Sequence, residues 1–516
     1  VEAKEYYDLT LDQLHSNKLE ESFTSFLAFH NFLKLTNVYQ TGIKELKGSS
    51  DGNVGHPVIS FSKSTVSEMN SDGSILESIR FVDATESSYL ETALSNAEST
   101  SLAVGDIDND GDTDVFYSSN GTHYLFQNEF GSYDNILNTS NIKIEGIVEH
   151  STLVDFDNDG HLDIFVLKEK GLQLFKNVSE GKFKDITSTA ITGQQEISAK
   201  TCLFLDMDHD GDLDIFLGGK SDMILRNNGN LTFQNITAQR DFDDDGDIDL
   251  FVTRLDGKNI LYSNLRRGKF SNVTSETGII SMSSSSASAI GDYNNDGFLD
   301  IFITTVDGSE SKLFMNKKNG SFKEDKASST TFNALRFAKI NDVTFLDFDN
   351  DGYQDLLVVG EGLDSGKRGV FLLHNNGGKF SNKSNLLAKG LSEGKQIALG
   401  DYNSDGDLDL YLADDNGKLR LFRNDGGNNN HYLKMKLVGL KAGSAKNNHF
   451  GIGAKIEVRA GDLYQMQVVT SPNIHFGMGN RTKADVVRIL WTNGVPQNIF
   501  SPGSDEDLIE AQELKG

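Results

Sequence analysis

One nine-residue pattern, D-x-[DN]-x-D-G-x-x-D, returns seven times along the 516-residue chain. The copies are DIDNDGDTD from Asp106, DFDNDGHLD from Asp155, DMDHDGDLD from Asp206, DFDDDGDID from Asp241, DYNNDGFLD from Asp292, DFDNDGYQD from Asp347 and DYNSDGDLD from Asp401. Their starts lie 49, 51, 35, 51, 55 and 54 residues apart. A small, apolar lead-in precedes the loops (LAVGD, SAIGD, IALGD), and a β-rich run follows each (DVFYSS, DIFVLK, DIFLGG, DLFVTR, DIFITT, DLLVVG, DLYLAD). A further strand ending in Asn comes next (YLFQN, QLFKN, MILRN, ILYSN, KLFMN, FLLHN, RLFRN), then in most units a fourth such as GKFKDIT. Four short strands in a repeat of this length are the mark of a β-propeller blade, whose faces are covered by its neighbours.

The seventh unit leaves the pattern after Asn424, so its outermost strand is missing, and SIRFVDATES at 78–87 reads as that strand moved to the front of the chain. Closing the last sheet with an N-terminal strand removes two exposed edges. The expected fold is therefore all-β, a seven-bladed propeller over 58–427, with a helical segment at 1–57 and a small β-sandwich-like domain at 428–516. The short third interval reads as sequence omitted between Thr237 and Asp241 rather than as a truncated unit, because the lead-in strand is lacking there.

The loops carry the chemistry. Calcium takes six to eight hard oxygen ligands, and alternating acidic residues on a tight turn aim their oxygens at one point. Side chains would come from position 1 (Asp106, Asp155, Asp206, Asp241, Asp292, Asp347, Asp401), position 3 (Asp108, Asp157, Asp208, Asp243, Asn294, Asp349, Asn403) and position 5 (Asp110, Asp159, Asp210, Asp245, Asp296, Asp351, Asp405). Position 7 would offer its carbonyl (Asp112, His161, Asp212, Asp247, Phe298, Tyr353, Asp407), which explains its free variation, and position 9 a carboxylate (Asp114, Asp163, Asp214, Asp249, Asp300, Asp355, Asp409). Gly at position 6 permits the turn. About seven structural Ca²⁺ are expected; Mg²⁺ suits the loops less, since it demands a tighter octahedron. EF-hands and dockerins need helices beside the loop and usually Glu at position 12, whereas here the flanks are strands and position 12 is apolar or small.

The whole repeat resembles the FG-GAP/VCBS unit of integrin α-subunit propellers and many secreted proteins, over about residues 78–425. That resemblance implies that the calcium loops are structural. From His431 the chain is similar to the ASPIC/UnbV domain that follows such propellers in the cartilage acidic protein family, matching at Gly451, Gly453, Ala454, His475, Phe476, Gly477, Gly479, Trp491 and Gly494. The glycine-rich loop expected before His475 is shortened. The single Cys202, in the apolar run TCLFLD, permits no intrachain disulfide and departs from the animal members, favouring a bacterial or otherwise cysteine-poor secreted protein.

A formal charge of −28 argues against nucleic-acid binding. No run approaches the roughly 18 apolar residues of a membrane helix, and a start at Val1 reads as a mature or trimmed soluble product. Leu19, Phe23, Phe26, Leu27, Phe29, Phe32, Leu33 and Leu35 suit one or two amphipathic helices, packed on the propeller or serving as a partner-binding arm.

No H-E-x-x-H or phosphate loop is present, and His449 and His475, which could meet in space, read as structural. No catalytic residue is assigned. The expected function is a non-enzymatic, calcium-stabilised recognition, adhesion or surface-assembly scaffold, extracellular, cell-surface or periplasmic, with a protein or glycan ligand at a propeller rim. The alternative is a carbohydrate-active enzyme of lyase or dehydratase type with its site on one rim.

Overall fold

The computed structural model describes residues 73–513, apart from 94–98, 180, 192–196, 198, 220–221, 236–248, 256–257, 265–269, 280–283, 307–308, 336, 364–368, 389–390, 392, 442 and 444–445. The chain divides into Val1–Ser64 and Thr65–Gly516, and every described residue belongs to the second unit. The expected N-terminal helices lie outside the described residues.

Arg80 to Asp425 forms, in its described residues, a β-propeller-like series of small antiparallel sheets. In the first, Thr100–Gly105, Asp114–Ser119, Thr122–Glu129 and Ser132–Asn135 pair in chain order. The second strand, DVFYSS, is buried at every position, whereas the outermost, SYDN, buries only Tyr133. A strand packed on both faces needs no polar alternation. This is why the runs after the loops (DIFVLK, DIFLGG, DIFITT, DLYLA) are continuously apolar.

Each sheet shares a core with the next. Phe116 meets Ile164, Phe165 meets Ile215, Phe216 meets Leu250, Leu261 meets Ile301, Phe302 meets Leu356, and Leu357 meets Leu410 within common buried clusters. The last sheet then shares a cluster with the first through Tyr411 and Tyr117. Tyr133 Oη lies 2.6 Å from Tyr411 Oη, and Tyr117 Oη donates to the Gly417 carbonyl at 2.9 Å.

The displaced strand is present. Arg80–Asp83 pairs antiparallel with Leu419–Asp425, with Phe81 opposite Asn424, and completes the sheet begun by Gln396–Gly400 and Asp409–Ala413. Among the described residues the fourth sheet has three strands, Leu250–Val252, Ile260–Asn264 and Phe270–Asn272. Residues 236–248, which hold most of the fourth acidic loop and the stretch before it, lie outside the described residues.

The C-terminal module is two facing sheets. His431–Val438 lies between Ile474–Gly479 and Asp507–Ala511; Leu463–Val468, Lys455–Ala460, Val486–Leu490 and Pro496–Phe500 form the other. Leu433, Ile456, Phe476, Val487 and Trp491 fill the space between them. Trp491 is 1% exposed, and its Nε1 donates to Gln497 Oε1 at 3.1 Å, so its one polar atom is satisfied.

If the N-terminal strand closes the sheets, Phe81, 3% exposed with its ring 6.3 Å from that of Phe348, is a core residue of the last sheet. Phe81→Ala is expected to cost about 3–5 kcal/mol in urea unfolding. Val82→Ala on the half-exposed side of the same strand should cost less than about 1 kcal/mol.

Candidate metal centres

Among the described residues, six acidic loops join the first strand of their sheet to the second, and recurring hydrogen bonds shape them. In the second loop Asp155 Oδ1 accepts from Asp159 N at 3.0 Å, Asp155 Oδ2 from Gly160 N at 2.8 Å, and Asp159 Oδ1 from His161 N at 3.0 Å. The same three bonds recur in the loops from Asp292, Asp347 and Asp401. Positions 1 and 5 therefore spend part of their acceptor capacity holding the turn.

Position 9 does more than ligand spacing suggests. Oδ1 of Asp114, Asp163, Asp214, Asp249, Asp300, Asp355 and Asp409 accepts the backbone N–H of the Asn that ends the third strand, at 2.6–2.9 Å. Oδ2 of Asp114, Asp163, Asp214, Asp355 and Asp409 accepts the N–H of the loop's second residue. That Asn in turn reaches the preceding unit: Asn177 Nδ2 donates to the Ile107 carbonyl at 2.7 Å, Asn227 to Phe156 at 2.9 Å, Asn375 to Tyr293 at 2.7 Å and Asn424 to Phe348 at 2.7 Å. Asn128 closes the series on Tyr402 of the last unit at 2.8 Å.

Position 4, which carries no expected ligand, links neighbouring loops. Asn109, Asn158, Asn295 and Asn350 have φ between 53 and 63°, a left-handed conformation that Asn tolerates well. Their Nδ2 atoms donate to the position-6 glycine carbonyl of the next loop, at 3.0, 2.8, 2.9 and 3.3 Å. Position-7 side chains meet the same Asn residues: Asn158 Nδ2 lies 2.9 Å from Asp212 Oδ1, and Asn109 Nδ2 2.9 Å from His161 Nδ1. The recurring Asn at position 4 was the available sequence signal for this role.

Loop carboxylates outnumber the ammonium groups beside them, Lys176 at Asp157 and Asp159 and Lys434 at Asp401 among them. Carboxyl oxygens from Asp106, Asp108 and Asp114, from Asp155, Asp157 and Asp163, and from Asp206, Asp208 and Asp210 lie within 4.8 Å of one another in each group. Glu129, unforeseen from the pattern, joins Asp108 and Asp110 in such a group. At position 1, Asp106 Oδ1 and Asp206 Oδ1 are buried with no hydrogen-bond partner. At position 3 the same holds for Asp157 Oδ1, Asp208 Oδ1, Asn294 Oδ1 and Asp349 Oδ1. Buried oxygens converging without donors fit a hard divalent cation. Asp241, Asp243, Asp245 and Asp247 of the fourth loop lie outside the described residues, and its Asp249 keeps the position-9 bond to Asn264 N at 2.9 Å.

The C-terminal module sits on these loops. Asn158 Oδ1 accepts from His449 N at 2.9 Å, His209 Nδ1 is 2.7 Å from the Thr492 carbonyl, and Gly479 N donates to the Asn350 carbonyl at 2.7 Å. That last glycine bond belongs to a tight approach, for a Cβ on Gly477 would lie 2.1 Å from Asp347 Oδ2. The position-6 glycines serve the same contact: a Cβ on Gly160 would meet His449, on Gly297 Tyr464, on Gly352 Leu463 and on Gly406 Tyr432. Lysines of the module reach loop oxygens: Lys446 Nζ is 2.6 Å from Asp212 Oδ2, Lys436 Nζ 3.5 Å from Asp106 Oδ2, and Lys434 pairs with Asp401. His449 and His475 go to different loops, the second and the sixth; His475 Nε2 lies 2.6 Å from Asn350 Oδ1 and its ring stacks on Tyr432. Cys202 is buried, and burial pushes its thiol up, which keeps it unreactive.

The FG-GAP-like repeat profile matches residues 155–217, 241–303, 292–358 and 347–412, and the ASPIC and UnbV profile matches 443–512. The chain carries FG-GAP-like repeats and a C-terminal ASPIC and UnbV domain. It is 24% identical over 269 residues to cartilage acidic protein 1 of Xenopus tropicalis, covering 48% of this chain and 40% of that protein. This FG-GAP chain thus spans about two fifths of its curated relative's length. Similar solved structures include an Agrocybe aegerita lectin that recognises non-reducing terminal N-acetylglucosamine (19% identity, 64% of this chain and 80% of that one, TM-score 0.33). Another is BBS1N in complex with ARL6DN (10% identity, 64% and 92%, TM-score 0.38). At these scores the likeness carries no argument about this chain. Among the described residues of the FG-GAP protein no helix is long and apolar enough to cross a membrane.

Burial, reinforced by neighbouring carboxylates, pushes Asp114, Asp214 and Asp300 up to about 8 and Asp155 and Asp206 up to about 7. Groups raised above an ordinary 3.8 stabilise the fold below about pH 4 and lose that contribution as pH rises through 7 and 8. With divalent cations chelated, the melting temperature should therefore fall as pH is raised from about 5 to 8. An excess of calcium should flatten or reverse that slope, because the ion binds the ionised form. Melting curves at several pH values, with and without chelator, check both directions.

Proposed function

We propose that this chain is a calcium-stabilised, seven-bladed propeller of the extracellular space, cell surface or periplasm, acting as a recognition or surface-assembly scaffold. The observation that carries the reading is the set of buried loop oxygens without donors, Asp106, Asp157, Asp206, Asp208, Asn294 and Asp349 among them. Hard oxygens from positions 1, 3, 5 and 9, with the position-7 carbonyl, suit Ca²⁺, which takes six to eight such ligands. The ion supplies the positive charge that lets these carboxylates stay ionised while buried. The residues themselves fix the turn, bond one unit to the next, and seat the C-terminal module. Loops of low affinity fill at about millimolar calcium and stay largely empty in a resting cytosol, which is the ground for the proposed location.

The loop face is covered by the chain's own C-terminal module. A protein or glycan partner is therefore proposed to meet the opposite face. There the turns between second and third strands, such as Asn120–Gly121 and Asp414–Lys418, lie with the connections between sheets. We favour recognition over catalysis. The repeats and the appended domain are of non-catalytic kinds. One cleft, between the second and third units and the module, is lined by Leu153, Leu162, Cys202, Phe204, Phe450 and Ile452, with Asp155 as its carboxylate. That lining has the character of a packing seam and carries no acid–base pair.

Calcium stoichiometry and thermal unfolding test the reading together. A site filled tenfold above its dissociation constant adds about 1.4 kcal/mol. Several such sites make chelation lower the melting temperature by on the order of 10 °C. Refilling should restore both the temperature and about seven ions, and Asp157→Ala should remove about one. Unfolding indifferent to chelator, with no more than one ion regained, contradicts the proposal.

A further inference from the structure

The sixth loop differs from the others in its donor set. The residue just before the terminal Asn of each third strand points toward its own loop in the units where that contact is seen. Gln127 donates to Asp108, Lys176 pairs with Asp157 and Asp159, and His374 faces Asp349 and Asp351. Along the chain this register holds Gln127, Lys176, Arg226, Ser263, Met315, His374 and Arg423, so the sixth unit alone brings an imidazole. His374 Nε2 lies 3.2 Å from Asp349 Oδ2 and 3.6 Å from Asp351 Oδ2, with the side chain 3% exposed. Its ring is held edge-on against Phe348, centroids 5.8 Å apart, so its aim is fixed by packing.

His374 Nε2 faces both carboxylates without an aligned hydrogen bond to either, and Asp349 Oδ1 is buried without a hydrogen-bond partner. Donor atoms of Asp349, Asp351 and His374 all lie within 4.8 Å of one another. Asp347 and Asp355 complete the loop at positions 1 and 9, and both are buried. One imidazolium would offset one of the loop's four carboxyl groups and still leave Asp349 Oδ1 without a hydrogen-bond partner.

Resting on the reading of these loops as cation sites, we propose that the sixth loop is a mixed nitrogen–oxygen centre that takes a divalent transition metal of the zinc class in preference to calcium. Calcium coordinates oxygen almost exclusively, whereas imidazole nitrogen suits zinc, cobalt, nickel and copper. Three convergent donors, one nitrogen and two carboxylates, make a set common in zinc-class sites. The other loops, whose register residue is an amide, an ammonium, a hydroxyl, a thioether or a guanidinium, remain oxygen sites.

The test is a Co²⁺ titration of the full chain held in about millimolar calcium, read by visible absorption and by bound-metal analysis. About one equivalent of cobalt should bind with a ligand-field band of a nitrogen-containing site. His374→Gln should weaken that binding by at least about tenfold and leave the calcium count of the remaining loops unchanged. Asp349→Asn should weaken it as well, while Asp157→Asn in the second loop should not. Cobalt binding equal in the His374→Gln variant and the parent, or no cobalt bound above calcium, overturns the inference and leaves His374 as an internal ion-pair partner of Asp349. Loss of all calcium binding, by contrast, would be a failure of the underlying reading of the loops.

Discussion

Packing three to six carboxyl groups into a nine-residue turn and then burying part of it costs several kcal/mol per buried charge unless something of opposite sign sits among them. Every other feature of this molecule depends on how that cost is met. The loops lie where the first two strands of each sheet meet, beside the shared cores, so a loop that swells or rearranges disturbs both neighbours. The position-9 aspartate transmits the dependence directly. It holds the Asn at the end of the third strand, and that Asn binds the carbonyl of the preceding unit's loop, as in Asn177 to Ile107 and Asn424 to Phe348.

The loops are therefore joints between units as well as the proposed cation sites. Position 4 reaches the glycine of the next loop, position 9 secures the third strand, and the position-6 glycines admit the C-terminal module. A single turn serves four purposes, which explains why its spacing returns so faithfully while the residues between repeats vary. It also explains why the module needs Gly477, since no side chain fits against Asp347 there. Covering one face in this way leaves the opposite face and the outer strands as the surface that can differ without disturbing the joints.

The repeat period, the continuous apolar second strands and the displaced Arg80–Asp83 strand were all legible in the sequence, because each follows from a local rule of burial or edge protection. Oxygens of positions 1, 3 and 9, which the spacing on a tight turn aims at one point, lie close together in the first and second loops. The second role of position 9 was not legible. It requires knowing that Asn128 or Asn177 stands beside the loop, a register set by pairing across the sheet. Nor could spacing show where the module would rest, since contacts such as His475 with Asn350 join residues 125 positions apart. The histidines were read as structural on chemistry alone, and they went to separate loops for a reason only the docked geometry supplies. His374 escaped notice because its strand motif, FLLHN, looks like any other copy until the side chain's direction is known.

The most direct measurement is an X-ray structure of the full chain crystallised with calcium, with anomalous data to locate the ions. The account predicts ordered ions in the loops from Asp106, Asp155, Asp206, Asp292 and Asp401, with oxygens of positions 1, 3 and 5 at about 2.3–2.6 Å. The side chains of Lys176 and Lys434 should then be turned away from the carboxylates. Loops with no ion, and those two ammonium groups seated permanently among the carboxylates, would contradict it.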